Sequence, residues 1–151
     1  MKVSASFLSS KNPAVDLTKL NDTDVDYIHV ELEEDIMECL ELIKSYSIKA
    51  GLSIKPNTKV SELIPYLPYI DMVLVMSVEP GAGGQAFIEE SENRIKEVRA
   101  LLDSYNIPAV INVDGGINGE TVSKCRDCDV VTAGSYIINS DNFQDKISSL
   151  R

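Results

Sequence analysis

The chain has 151 residues, 44% of them hydrophobic and 25% charged, a size and balance that fit one soluble globular domain spanning residues 1–151. Its 24 acidic against 14 basic residues leave a net charge of −10, which argues against nucleic acid as a partner because phosphate-backbone binding needs a basic face. A phosphorylated small molecule stays compatible with that charge, since backbone amides can hold a phosphate without bulk positive charge.

In chain order, the start Met1-Lys-Val-Ser-Ala-Ser-Phe-Leu-Ser-Ser10 lacks the continuous apolar stretch of a signal peptide. The run Met72–Met76 is too short to cross a bilayer. With three cysteines and no export signal, the expected address is the reducing cytoplasm, away from membranes. Short β-branched runs predict strands at Val3–Phe7, Tyr27–Glu31, Ala50–Ile54, Met72–Val78, Ala109–Val113 and Val130–Ala133. Amphipathic patterns separate them. Ile36, Cys39, Leu40 and Ile43 fall at i, i+3, i+4 and i+7, one apolar stripe of a helix. Ile95, Val98 and Leu102 form a second stripe, with Glu92 and Lys96 as an i,i+4 pair on its outer face. After Thr58, the residues Val60, Leu63, Ile64 and Leu67 suggest a helix that Pro65 and Pro68 keep short. Phe143, Ile147 and Leu150 mark a closing helix, with Ser140 or Asp141 as its cap. Strands alternating with helices are the pattern of stacked βα units around a parallel sheet.

The run Val110-Ile-Asn-Val-Asp114-Gly115-Gly116-Ile117 ends a strand in a carboxylate followed by two glycines. Val130-Val-Thr-Ala-Gly134-Ser135 repeats the design about twenty residues on. Glycines after a strand let backbone N–H groups turn toward an anion, and a helix start adds its dipole. In β/α barrels such turns after the last strands often form a phosphate site, and strand-end carboxylates supply acids and bases. Asp114 would then stand beside a phosphate cradle.

Cys125-Arg-Asp-Cys128 has the spacing that can begin a zinc site, but two more ligands are needed. Only Cys39 and the single histidine, His29, remain, both far away in sequence. The pair reads as small apolar residues where a helix hands over to the strand at Val130.

Four ordered motifs carry a resemblance to the ribulose-phosphate 3-epimerase family. Val3-Ser-Ala-Ser6-Phe-Leu-Ser-Ser10 is similar to its first strand, and Gly51-Leu-Ser-Ile-Lys-Pro56-Asn-Thr58 to its fifth. Leu74-Val-Met76-Ser-Val-Glu-Pro80-Gly-Ala-Gly-Gly84-Gln85-Ala-Phe87 resembles the sixth strand and its glycine-rich loop. Val113-Asp114-Gly-Gly116 and Ala133-Gly134-Ser135 resemble the seventh and eighth. The resemblance implies a ribulose-phosphate-binding (β/α) barrel shortened to about six βα units, either closed more narrowly or left open. A full barrel has eight strands in about 250 residues. Open edges would invite association with a second copy.

The gap falls around His29. Asp24-Val-Asp-Tyr-Ile-His29-Val30 resembles the family's second strand, yet His29-Val-Glu31 also resembles its fourth. The resemblance implies interconversion of ribulose 5-phosphate and xylulose 5-phosphate, or action on a related ketohexose phosphate, by two carboxylates. It also implies a divalent metal such as zinc, iron, manganese or cobalt. Asp114 would be one acid/base and a metal ligand. In the second-strand role Glu31 would be the other acid/base and His29 a further ligand; in the fourth-strand role neither residue ligates metal. Ser6, Gly81, Gly83, Gly84, Gly115, Gly116, Gly134 and Ser135 would hold substrate, and Met76 would line the site or simply pack in the core. A non-catalytic phosphate-binding remnant is the alternative.

Overall fold

The computed structural model describes residues 4–6, 27–31 and 35–151, the first two segments as backbone strands only. Six strands form one parallel sheet in chain order: β1 (Ser4–Ser6), β2 (Tyr27–Glu31), β3 (Lys49–Ile54), β4 (Met72–Met76), β5 (Val110–Asp114) and β6 (Val130–Thr132). Every neighbouring pair is parallel, and among the described residues no pairing joins β6 to β1. The expected α/β architecture of about six units is therefore present, with boundaries shifted by one or two residues at half of the ends of β2 to β6.

Helices pack on one side of this sheet. α1 (Ile36–Ser45) covers β2 and β3, burying the stripe Ile36, Cys39, Leu40 and Ile43. α2 (Ser91–Ser104) lies against β4 and β5 and buries Ile95, Val98 and Leu102. Its outer face carries the expected Lys96–Glu92 bridge at 2.7 Å. Between β3 and β4 runs a 3-10 helix, Val60–Tyr69, with Pro65 and Pro68 inside. Both prolines remove backbone donors, so the tighter helix replaces a regular α-turn pattern. Ile64 there is exposed rather than part of the buried stripe, because its change of pitch turns that position outward.

β3, β4 and β5 are largely buried on both faces, which is why they read as near-continuous apolar runs. Ala50, Leu52, Ile54, Val73, Val75, Ile111 and Val113 join the helices in one core cluster. Ser53, Met72, Leu74, Met76 and Asn112 are buried outside that cluster, at the alternate strand positions.

Register is pinned by a recurring acid. Asp71, just before β4, accepts a hydrogen bond from the Ala50 N–H of β3 at 2.9 Å. Asp129, just before β6, accepts one from the Ile111 N–H of β5 at 2.8 Å. Each carboxylate satisfies a strand-end donor on its neighbour, a position where a slip would leave the donor bare.

Two short helices end the chain, α3 (Ser135–Ile138) and α4 (Phe143–Ser148). The cap of α4 is Asn142, not Ser140 or Asp141: its side-chain oxygen accepts from the Asp145 N–H at 3.2 Å. Phe143 is 53% exposed, so the closing helix does not bury its apolar face as its periodicity suggested.

Candidate functional site

A cleft of about 610 Å³ opens where β4, β5 and β6 end. Its lining includes Gly81, Gly83 and Gly84 from the loop after β4, Asp114 to Gly116 from β5, and Gly134 and Ser135 after β6. The three turns singled out in the sequence are thus brought to one place. Met76 and Thr132 lie on either side of Asp114 in register, and both also line the cleft.

The loop after β5 is held tightly. Gly115 has φ +127° and Gly116 φ +63°, both in the region that favours glycine. A Cβ on Gly115 would meet Val78 side-chain carbon at 2.6 Å, and one on Gly116 would meet the Phe87 Cα at 2.8 Å. These glycines let two strand-end loops touch. Cβ atoms on Gly81, Gly83, Gly84 or Gly134 would meet nothing within 4 Å, so these positions keep their backbone open to the cleft or solvent.

Several residues that the sequence reading passed over set this geometry. Ser77 is fully buried; its hydroxyl donates to the Gly115 carbonyl at 2.6 Å and its N–H to the Asp114 carbonyl at 2.9 Å. The Gln85 amide donates to the carbonyls of Glu79 and Ala82, both at 2.7 Å, bracing the glycine-rich loop. Thr121 donates to the Gly116 carbonyl at 2.8 Å. Asn112 accepts from the Thr132 hydroxyl at 3.1 Å, linking β5 to β6 just below the cleft. A buried serine one residue beyond a strand is the kind of signal that could have pointed to Ser77, but its partner is 38 residues away and invisible locally.

Asp114 reaches solvent at the cleft floor, yet partial burial raises its carboxyl above the ordinary aspartate range. Loss of water disfavours the charged form, and among the described residues no neighbouring cation offsets that effect. Among the described residues lining the cleft, Lys55 supplies the sole cationic side chain.

Ser6, His29 and Glu31 are placed only by backbone. Ser6 pairs with His29, His29 with Gly51, and Glu31 with Ser53. Followed across the sheet, the Glu31 row runs through Ser53, Leu74 and Asn112 to Val130. It lies one same-face step, about 7 Å along the strands, before the row of Met76, Asp114 and Thr132. Among the described residues, no three His, Cys, Asp or Glu side chains gather as metal ligands. Cys125 is buried and Cys128 half-buried, both as free thiols.

Comparison with known proteins fits this arrangement. The model of the ribulose-phosphate 3 epimerase family matches residues 7–138. Ribulose-phosphate 3-epimerase of Mycobacterium tuberculosis (strain H37Rv) is 34% identical over 125 residues, covering 82% of this chain and 55% of that protein. The enzyme of Buchnera aphidicola is 38% identical over 132 residues, covering 86% and 58%. That of Aquifex aeolicus is 33% identical, covering 95% and 67%. The chain thus spans little more than half the length of the first two relatives. In fold it is similar to 3-hexulose-6-phosphate synthase of Salmonella typhimurium, with a TM-score of 0.67 at 19% identity, covering 99% of this chain and 71% of that one. A mutant tryptophan synthase α-subunit of Pyrococcus furiosus gives a TM-score of 0.72 at 16% identity, covering 99% and 66%. With the family model matched across most of its length, this chain belongs to the ribulose-phosphate 3-epimerase family.

Proposed function

We propose that the chain is a ribulose-phosphate 3-epimerase-like isomerase whose cleft holds the phosphate of a ketopentose 5-phosphate and presents its C3 proton to Asp114. The observation that carries this reading is the convergence of three glycine turns and one carboxylate with a raised pKa on a single cleft. Glycine backbone at Gly81, Gly83, Gly84, Gly115, Gly116 and Gly134, with Ser135, offers donors suited to phosphate. Lys55 adds a positive charge at the same rim.

Proton removal next to a ketone needs a base within hydrogen-bond reach whose pKa lies near the working pH. Asp114 meets the second requirement better than an ordinary aspartate. Inversion also needs a proton returned on the opposite face; Glu31 on β2 is the proposed second group, and Ser6 on β1 the proposed substrate contact. A divalent metal would draw on Asp114 and His29. The described residues do not assemble a complete ligand set, so no step here runs through a metal.

A second reading, phosphate-ester binding without turnover, is favoured by the pairing of β2 directly with β3. In this reading β2, beside the strand whose motif is similar to the family's fifth, takes the fourth-strand role, in which Glu31 is not an acid/base.

Proton exchange separates the two. With ribulose 5-phosphate in deuterated water and added zinc, iron, manganese or cobalt, the isomerase reading expects deuterium at C3 and formation of xylulose 5-phosphate. Asp114→Asn should slow both by about 10²–10⁴-fold. Binding of the ester with no C3 exchange would leave the remnant reading standing instead.

A further inference from the structure

Cys125 closes a 3-10 turn, Thr121–Cys125, and Cys128 stands just before β6. The Cys128 N–H donates to the Cys125 carbonyl at 3.0 Å, so the two residues span a single tight turn. Arg126 within it keeps helical angles, φ −61° and ψ −26°. In a 3-10 turn side chains three apart lie one above the other. Such a turn holds its end Cα atoms under about 7 Å apart, close to the span of about 4.4–6.8 Å that a disulfide accepts. Each side chain lies near enough to the other to shift its thiol. Each also reaches a backbone carbonyl, Cys125 that of Thr121 at 3.8 Å and Cys128 that of Val130 at 3.3 Å.

We propose that Cys125 and Cys128 form a reversible intramolecular disulfide, a redox-modification site at the entrance to β6 that takes a hydroperoxide as its oxidant.

The surroundings give the two sulfurs different parts. The Cys125 side chain beside it holds the Cys128 thiol below the ordinary range, helped by the Val130 backbone and by Arg99. Burial and Asp129 act against this. Cys125, beside Cys128 and buried, is pushed well up. Arg99 also clamps the turn, donating to the Asp127 carbonyl at 3.2 Å and to the Asp129 carboxylate at 2.6 Å. Cys128 is therefore the half-exposed nucleophile and Cys125 the resolving thiol.

The steps balance. The Cys128 sulfur attacks one peroxide oxygen, the O–O bond breaks, and a sulfenic acid and one water (an alcohol from an organic hydroperoxide) result. The Cys125 sulfur then attacks the sulfenic sulfur, an S–S bond forms, and a water leaves with the sulfenic oxygen. Two thiols lose two electrons and two protons in all, and the peroxide takes them up. Asp129 joins this turn to β5 through the Ile111 N–H, so the bridge would stiffen the segment that leads into the cleft's third strand end.

The full chain, treated with hydrogen peroxide and alkylated under denaturing conditions, should show a fall from three reactive thiols to one, that of Cys39. Its intact mass should drop by two hydrogens and recover with dithiothreitol. Trypsin cuts after Lys124 and Arg126, so the bridge should tie two otherwise separate peptides together. In Cys125→Ser, Cys128 should stop at a sulfenic acid that dimedone traps. Oxidation of the parent to a Cys128 sulfinic acid with Cys125 still alkylatable would overturn the proposal. So would a cross-link between chains, or a two-hydrogen loss that persists in Cys125→Ser.

Discussion

Asp114 is the residue on which the chemistry turns. Its carboxyl is raised by burial, so the folded chain binds its proton more tightly than the unfolded chain does. Between the ordinary aspartate value and the raised one, the folded state carries more protons, and stability falls as pH rises through that window. Ionised Asp114 at neutral pH is thus a cost to the fold. Asp114→Asn should melt at a higher temperature than the parent at pH 7, and the gap should close below about pH 4, where both states hold the proton. Equal melting temperatures across the whole pH series would contradict this account. The sequence marked Asp114 by its place between a buried run and two glycines. The direction of its pKa was not legible there, because the groups that desolvate it come from other strand ends.

At the scale of elements, stripe periodicity identified α1 and α2 residue for residue. Ile36, Cys39, Leu40, Ile43, Ile95, Val98 and Leu102 are all buried as their spacing requires. Spacing works there because each helix meets the sheet along one face. It failed for the closing helix, where Phe143 stays exposed and Leu150 is only partly buried against the core, and at Ile64, where prolines change the helical pitch. The loops between elements depend on approach distances that no local pattern encodes. Gly116 and Gly84 share positive φ, but only Gly116 has a neighbouring backbone in its way. Gly84→Ala should therefore cost only the conformational penalty of about 1–2 kcal/mol. Gly116→Ala should cost more, since Phe87 must also move, and should weaken phosphate binding. Urea unfolding of both variants checks this, and equal losses would show that the loops have room to part.

For the molecule as a whole, the question is how six strands manage their edges. β6 is only partly covered, with Val130 43% exposed, and Ile138 of α3 is 69% and Phe143 of α4 53% exposed. Unpaired edges and exposed apolar side chains favour association with another chain. Sedimentation velocity should show self-association that grows with concentration and weakens in Ile138→Lys. A single monomer boundary at every concentration would mean that the edge is protected. No described helix is long and apolar enough to cross a membrane.

By itself the sequence determined the order of the six strands, the buried faces of α1 and α2, and the family, since these follow from periodicity and from motifs carried on contiguous residues. Tertiary structure alone decided that three distant glycine turns share one cleft, that Ser77 and Thr121 hold its floor, and that β2 lies beside β3. Those outcomes rest on hydrogen bonds and contacts between strand ends tens of residues apart, which only the packed sheet brings together.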